Sequence, residues 1–438
     1  MADTTYILEA DALGEEVREL QRLANRLSRH HPKLTPQISG MLDKFDAGIA
    51  GAEPHAAERA AEAFARAFRA LWLDAAGSEA SSVYRSPTAS ETQRIARHHD
   101  AFGYERDLQP ETLERRCRDF FSAPPPGWRQ EHILFSSGQA AMTTALLVLG
   151  RHIASDGPTL RLAHRGTYFE TRALIRSLPF IAEATFAQTA DLVIDEPVCC
   201  DGQFHQIDTG KQLSASPCAV IFDTTLMGRK DGVREYLAAL GAGGKQIVMR
   251  VASCLKLLQG GFELAIVGVL SVHTSHASVG GLGDKLRRMR TLTGSGLHLV
   301  DAIALEAPWV FDPNHADAYA SAIFDHNARL AYAVQQSNTR FEPVTHPAFG
   351  GGGAPFCSFR LQKGNLEAYD ALDQEIAAEA LRRRLNLVRG GSFGFRAHCY
   401  EIVKPETGEA PFLRIALGRR GGWSCEGVIV MMAQLAAK

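Results

Sequence analysis

Residues 218–225 read CAVIFDTT and residues 245–256 read KQIVMRVASCLK. Both are short apolar runs with β-branched members; the first closes on Asp223, Thr224 and Thr225, the second on Ser253 and Lys256. Runs of this length predict strands buried on both faces, as in a parallel sheet. Working outward, HILF (132–135), ADLVID (190–195) and ELAIVGVLSV (263–272) are further runs of the same kind, and AAMTTALLVLGRHI (140–153) is an amphipathic stretch between two of them. Strands alternating with helices predict α/β layering with a mostly parallel sheet.

The flanks read differently. Residues 6–80 are rich in Ala, Leu, Glu and Arg at helical spacing, as in EEVRELQRLANRLSRH (15–30) and AAERAAEAFARAFRALWLDAAG (56–77), and predict a helical N-terminal arm. Beyond about residue 310 a helical stretch (316–337) leads to the strand-like runs CSFRLQ (357–362) and FLRIALG (412–418), which suit a smaller α+β domain. The expected organisation is an arm and inter-subunit segment over 1–105, a large α/β domain over 106–305 and a small C-terminal domain over 306–438.

Composition narrows the function classes. The 438 residues carry 47 Lys and Arg against 49 Asp and Glu, a net charge of −2, with 45% hydrophobic residues. That balance offers no electrostatic case for nucleic acid or a membrane surface as partner. No window reaches the ~18 uninterrupted apolar residues of a membrane span. The acidic N-terminus lacks the basic and apolar regions of a signal or transit peptide, so a cytoplasmic location is expected. The 8 cysteines form no C-x-x-C pair, and free thiols are expected.

Three motif matches lack the context their chemistry needs. Gly390–Gly394 fits the G-x-S-x-G elbow around Ser392, but that elbow requires a following helix and a later acid and histidine. Ser253-Cys254-Leu255-Lys256 fits S-x-x-K without the accompanying S-D-N or K-T-G. His273 and His276 follow a strand, yet no third ligand has metal-site spacing; they are read as surface or hydrogen-bonded histidines, and no metal is expected.

A more coherent set surrounds the opening strands. HILF runs into Ser136-Ser137-Gly138-Gln139 and then a helix, so backbone N–H groups point where a phosphate could sit. An amine at Lys256, a phosphate-binding hydroxyl at Ser253 and a carboxylate at Asp223 on the neighbouring strand form the arrangement that pyridoxal phosphate (PLP) needs. The lysine forms a Schiff base, and the acid keeps the pyridine nitrogen protonated.

From Tyr104 to Gly418 the sequence resembles, in colinear order, the fold type I PLP enzymes of cysteine and methionine metabolism: cystathionine γ-synthase, the cystathionine lyases and methionine γ-lyase. The family segment Y-S-R-x-x-N-P-T-x-x-x-L-E is similar to 104–114, S-S-G-M-A-A to 136–141, and Y-G-G-T-Y to His164–Tyr168. D-N-T is similar to Asp223–Thr225, S-x-T-K-x-x-x-G to Ser253–Gly260, S-L-G to Ser392–Gly394, and L-R-[IL]-[SA]-[VL]-G to Leu413–Gly418.

The resemblance implies that Ser137, Gly138, Gln139, Asp223, Thr225, Ser253 and Lys256 bind the cofactor. It implies that Tyr104 and Arg106 reach the phosphate in a neighbouring subunit, hence a homo-oligomer, dimer or tetramer, with shared sites. Arg414, with Ser392, would hold the substrate α-carboxylate in a fork that Lys cannot supply. His164 stands where the family has its ring-stacking tyrosine; an imidazole can also stack and move protons, with Tyr168 as a second candidate. Leu255 replaces the family's second phosphate hydroxyl, and Cys199 its asparagine at the cofactor 3′-oxygen.

The implied activity is β/γ-elimination or γ-replacement on an L-amino acid with a side-chain leaving group, in specialised metabolism. A halogenated or unsaturated amino acid is one candidate substrate. An aminotransferase on the same scaffold is the alternative, since Asp, Lys and the carboxylate-binding Arg serve both reactions. A serine hydrolase acting through Ser392, or a non-catalytic binding protein, would have no need of Lys256.

Overall fold

The computed structural model describes residues 12–85, 93–94, 101–153, 159–185, 190–199, 202, 204–207, 217–241, 246–275, 281–404 and 410–438. Three helices come first: α1 (Ala12–His30), α2 (Thr35–Ile49) and α3 (Pro54–Ser81). The helical stretch expected over 6–80 is broken where prolines stand, at a 3-10 turn over Pro32–Leu34 and again at Pro54, the first residue of α3. A small antiparallel pair, β1 (Gln93–Arg94) and β2 (Ala101–Phe102), precedes α4 (Glu111–Phe120).

The central sheet has seven strands: β3 (Arg129–Phe135), β4 (Leu160–Arg165), β5 (Ile181–Glu183), β6 (Leu192–Asp195), β7 (Ala219–Asp223), β8 (Ile247–Ser253) and β9 (Gly268–Thr274). Their spatial order is β3-β9-β8-β7-β6-β4-β5, and only β9 runs against the rest. The expected mostly parallel sheet is therefore present. Crossover helices α5 (Gly138–Ile153), α6 (Phe169–Ser177), α7 (Val233–Leu240) and α8 (Leu282–Thr293) accompany it, followed by α9 (Leu299–Ala304).

Alternation along the strands sorts the core into two layers. Ile194, Ile221, Met249, Val251 and Leu270 pack with Met142, Leu146 and Leu149 of α5 and Leu286 of α8. Val193, Val220, Phe222 and Val248 pack on the other face with Tyr236 and Leu237 of α7.

One expected strand starts late. The run ELAIVGVLSV begins at Glu263, but β9 begins at Gly268. The buried Gln259 side chain takes over the intervening backbone: its Oε1 accepts from Leu264 N (2.6 Å) and Ala265 N (3.1 Å), and its Nε2 donates to Ala265 O (2.7 Å). A backbone already paired with a side chain has nothing left for the ladder.

The chain divides into two compact units. Trp72–Gln259 and Glu263–Ala316 form one, which contains the central sheet; Met1–Leu71, Gly260–Phe262 and Asp317–Lys438 form the other. The second unit holds a four-stranded sheet in the order β10-β13-β12-β11, made of β10 (Cys357–Phe359), β11 (Leu387–Arg389), β12 (His398–Val403) and β13 (Phe412–Ala416), with α10 (Pro313–Ser337), α11 (Leu366–Arg382) and α12 (Trp423–Ala436).

Within that unit the N-terminal helices are joined to the C-terminal segment by buried charge. Arg420 Nε donates to Glu16 Oε2 at 3.0 Å, Arg419 Nε to Glu19 Oε2 at 2.8 Å, and Arg396 pairs with both acids. Glu58 accepts from Ser424 N and from Asn386 Nδ2, each at 2.7 Å. Gly260–Phe262 is fastened by Arg69 Nε donating to Phe262 O at 2.6 Å and by an edge contact between the Phe68 and Phe262 rings.

No described helix is long and apolar enough to cross a membrane. The described cysteines are free thiols, and Cys200 lies outside the described residues.

Candidate active site

The parallel strands direct their C-terminal ends to one edge of the sheet, where open α/β sheets bind ligands. Asp223 ends β7 and Ser253 ends β8, and each follows the strand positions that face α5. The two ends are tied together: Thr225 N donates to Asp223 Oδ1 at 3.0 Å, while Thr225 Oγ1 accepts from Ser253 N at 2.9 Å. Thr225 thus serves both its neighbours, one through its amide and one through its hydroxyl.

The start of α5 closes on the same point. A Cβ on Gly138 would lie 3.1 Å from Ser253 Cβ, so that position has room for little beyond hydrogen. A Cβ on Gly268, at the start of β9, would lie 2.3 Å from Ser137 O and 2.6 Å from Gly138 N. Glycines here let the end of α5 settle onto the sheet. Ser137 caps the helix, its Oγ accepting from Ala140 N at 2.9 Å. Among the described residues the N–H groups of Gly138 and Gln139 meet no acceptor. They are the orphan donors of a helix N-terminus, with the positive end of the dipole behind them.

Enclosure pushes the Asp223 carboxyl above the ordinary carboxylate range, and hydrogen bonds from Thr225 offset part of that. Among the described residues no cationic side chain pairs with it. A carboxylate in this setting is stabilised by a cationic hydrogen-bond donor arriving from outside the chain. Orphan N–H donors, a serine hydroxyl and an uncompensated acid together fit a phosphate at the helix end and a protonated pyridine at the acid. Lys256 follows in the turn after Ser253, half-buried.

The remaining predicted residues are placed as follows. His164 sits at the end of β4, two strands from β7 and so about 10 Å across the sheet, with its Nε2 3.7 Å from Glu183 Oε2. Tyr168 is the N-cap of α6; its N–H donates to the Glu196 carboxylate, and its ring meets that of Phe169 at 4.4 Å. Gln139 Nε2 donates to Thr171 Oγ1 of α6 at 2.8 Å. Cys199 is buried beyond β6.

Tyr104 is the N-cap of a 3-10 turn over Glu105–Asp107 and Arg106 lies within it; Tyr104 is 45% exposed and its ring centroid lies 5.4 Å from the Arg106 guanidinium. Among the described residues no hydrogen bond or ion pair joins this pair to the Asp223 cluster.

Arg414 and Ser392 belong to the other unit. Arg414 on β13 pairs with Glu401, its register partner on β12, donates to Gly391 O at 3.1 Å, and lies over the Phe393 ring at 4.6 Å. Ser392 O accepts from Cys399 Sγ at 2.6 Å. The chain after Ser392 turns into β12 with no helix, which withholds the context a nucleophile elbow requires.

One expectation is corrected. His273, read as a surface or hydrogen-bonded histidine, is 3% exposed, and among the described residues neither ring nitrogen has a partner. It lies inside β9 on the face turned toward α7, because that strand starts and ends later than the apolar run suggested. His276 lies outside the described residues. Among the described residues no cluster of His, Cys, Asp or Glu could hold a metal.

Sequence reading missed a second polar cluster at the strand ends. Asp195, ending β6, takes a bidentate pair from Arg165 (3.0 and 2.8 Å) and a 2.6 Å bond from His205 Nε2. Although burial opposes it, these partners hold its carboxyl below the ordinary range. Asp195 was legible as the end of the run ADLVID, but no run marked Arg165 as a strand end, and His205 stands in a loop with no motif around it.

No protein-family model matches the chain, and no curated protein matches it in sequence. Solved structures do match. A methionine γ-lyase from Micromonospora echinospora has 17% identity over 81% of this chain and 92% of its own, with a TM-score of 0.55. Cystathionine γ-lyase from yeast has 14% identity over 84% and 98%, with a TM-score of 0.56. A serine palmitoyltransferase from Sphingomonas wittichii follows at 14% identity, 83% and 82% coverage and a TM-score of 0.50. At these identities the likeness is one of fold: the chain is built on the architecture of the fold type I PLP enzymes.

Proposed function

We propose that this chain is a PLP-dependent enzyme catalysing β/γ-elimination or γ-replacement on an L-amino acid with a side-chain leaving group. The observation that carries the reading is the link from Asp223 through Thr225 to Ser253, set against the open N–H groups of α5, with Lys256 in the turn that follows.

PLP, when bound, supplies an aldehyde that captures amines and a ring that accepts electron density from Cα. The N–H groups of Gly138 and Gln139 and the Ser253 hydroxyl hold its phosphate, and Asp223 keeps a proton at its ring nitrogen. The Lys256 amine anchors the cofactor between turnovers and then moves the substrate's Cα proton. His164, at the end of β4, stacks on the ring and assists the leaving group, with Tyr168 close by in sequence. Arg414 and Ser392 orient the carboxylate. Tyr104 and Arg106, exposed on their turn, reach the phosphate of a neighbouring subunit, which makes the working form a homo-oligomer.

The test is the visible absorption of purified protein with added PLP, before and after borohydride, beside Lys256→Ala. A yellow band that borohydride bleaches and Lys256→Ala alters is expected. Release of ammonia and an oxoacid from γ- or β-substituted amino acids, without any amino acceptor, then separates this activity from an aminotransferase. A protein that stays colourless with added PLP overturns the reading.

A further inference from the structure

On the sheet face turned toward α7, a cavity of about 300 Å³ is lined by Arg229, Lys230, Asp231, Arg234, Arg250 and His273, among others. Arg250 lies one residue before Val251, which packs against α5, so alternation puts the cavity on the face opposite Asp223 and Ser253. His273 pairs in register with Val248, near the start of β8, so the cavity also lies away from the strand ends that form the candidate active site.

The polar groups in it are incompletely satisfied. Arg250 is 3% exposed; Nη1 donates to Asp231 at 3.0 Å and Nη2 to Ser271 Oγ at 2.9 Å, but among the described residues its Nε has no partner. Beside it, both ring nitrogens of the buried His273 are also without partners among the described residues. Burial, reinforced by the Arg250 charge, holds that imidazole neutral, so it keeps one N–H to donate. A buried polar group without a partner is costly, and two in one cavity mark a place that a ligand would complete.

The character of that ligand follows from the donors. Four cationic side chains line the cavity against two acidic ones, Asp231 and Glu235. The helix α7 opens there at Gly232, which offers no side-chain cap, and among the described residues the N–H groups of Arg234 and Glu235 meet no acceptor. Asp231 Oδ1 already occupies Val233 N at 3.2 Å. Donors arrive from the helix end, from Lys230 and Arg234 near the mouth and from Arg250 and His273 at the floor, more directions than the two oxygens of a carboxylate can serve. We propose that this cavity binds a phosphate-bearing small molecule, at a site distinct from the one that would hold PLP. Its volume, at the lower end for ligand pockets, leaves room for a small organic group beside the phosphate.

Equilibrium dialysis of the full-length protein against radiolabelled orthophosphate, at saturating PLP, tests this. The expected result is one equivalent bound per chain, displaced by phenyl phosphate and not by citrate. Binding should weaken at least tenfold in the exposed double variant Lys230→Glu/Arg234→Glu and also in His273→Leu, with thermal melting confirming that each variant is folded. Absence of binding, binding that vanishes when PLP is added, or binding that the double variant leaves intact would overturn the proposal. Preference for citrate over phosphate would overturn the assignment of ligand class. None of these outcomes depends on whether the protein turns over amino acids.

Discussion

Arg414 and Glu401 stand opposite each other in register across β13 and β12 and are ion-paired, and Glu401 also lies against Gly391, where a Cβ would come within 2.6 Å of its Oε2. If Arg414 receives the substrate carboxylate, that carboxylate competes with one already in place. Glu401→Gln should therefore lower KM by roughly three- to tenfold with little change in kcat, while Arg414→Lys should raise KM by about tenfold or more. Steady-state kinetics on the two variants checks both, and a Glu401→Gln enzyme with unchanged KM would place the carboxylate elsewhere.

Asp223 makes opposite predictions for the empty and the loaded protein. Its folded-state carboxyl is raised by enclosure. An acid whose pKa is raised on folding contributes stability at pH values below its unfolded pKa and loses it as pH climbs through the folded one. Cofactor-free protein should thus melt lower as pH rises through and above the ordinary carboxylate range, and Asp223→Asn should flatten that dependence. The same variant should retain PLP poorly and lose about a hundredfold or more in turnover. Melting curves against pH, with and without PLP, read both effects.

Gly268→Ala tests the seating of α5. The added methyl would meet Ser137 O at 2.3 Å and Gly138 N at 2.6 Å, both backbone atoms that cannot swing aside. A destabilisation of about 1–3 kcal/mol is expected, as for overpacking elsewhere. PLP affinity should fall with it if, as proposed, this end of the helix holds the cofactor's phosphate. Denaturant unfolding and a PLP titration measure the two separately.

Glu16→Ala tests the buried charge between the N-terminal helices and the C-terminal segment. Glu16 is 0% exposed and pairs with both Arg396 and Arg420. Removing it strands buried guanidinium groups, at a cost of about 3–5 kcal/mol. The midpoint of urea unfolding should drop accordingly, and replacing Glu15, which is largely exposed, should leave it unmoved.

The central sheet was legible because strands buried on both faces have to be written as apolar runs, and Asp223 and Ser253 were legible because they end such runs. The late start of β9 was not, since it depends on Gln259 turning back to capture Leu264 and Ala265. Glu401 carried no signal either: it meets Arg414 only through antiparallel register, 13 residues away along the chain. His205 acquires its meaning from Asp195 in the same way. Proline positions could have divided the N-terminal helices, but helical periodicity alone ran across them.

The division of the chain into units has a consequence for biosynthesis. Residues up to Leu71 emerge from the ribosome before the central sheet, yet they share a unit with Asp317–Lys438, which emerges after it. At about 5–20 residues per second, roughly 20–70 s pass before the last partners of α1 exist. Throughout that interval Glu16 and Glu19 lack their arginines. The central-sheet unit, by contrast, is complete once Ala316 has been made. Nascent chains should therefore acquire their protease-resistant sheet first and hold the N-terminal helices exposed, as a natural client for chaperones, until Asp317–Lys438 has been made.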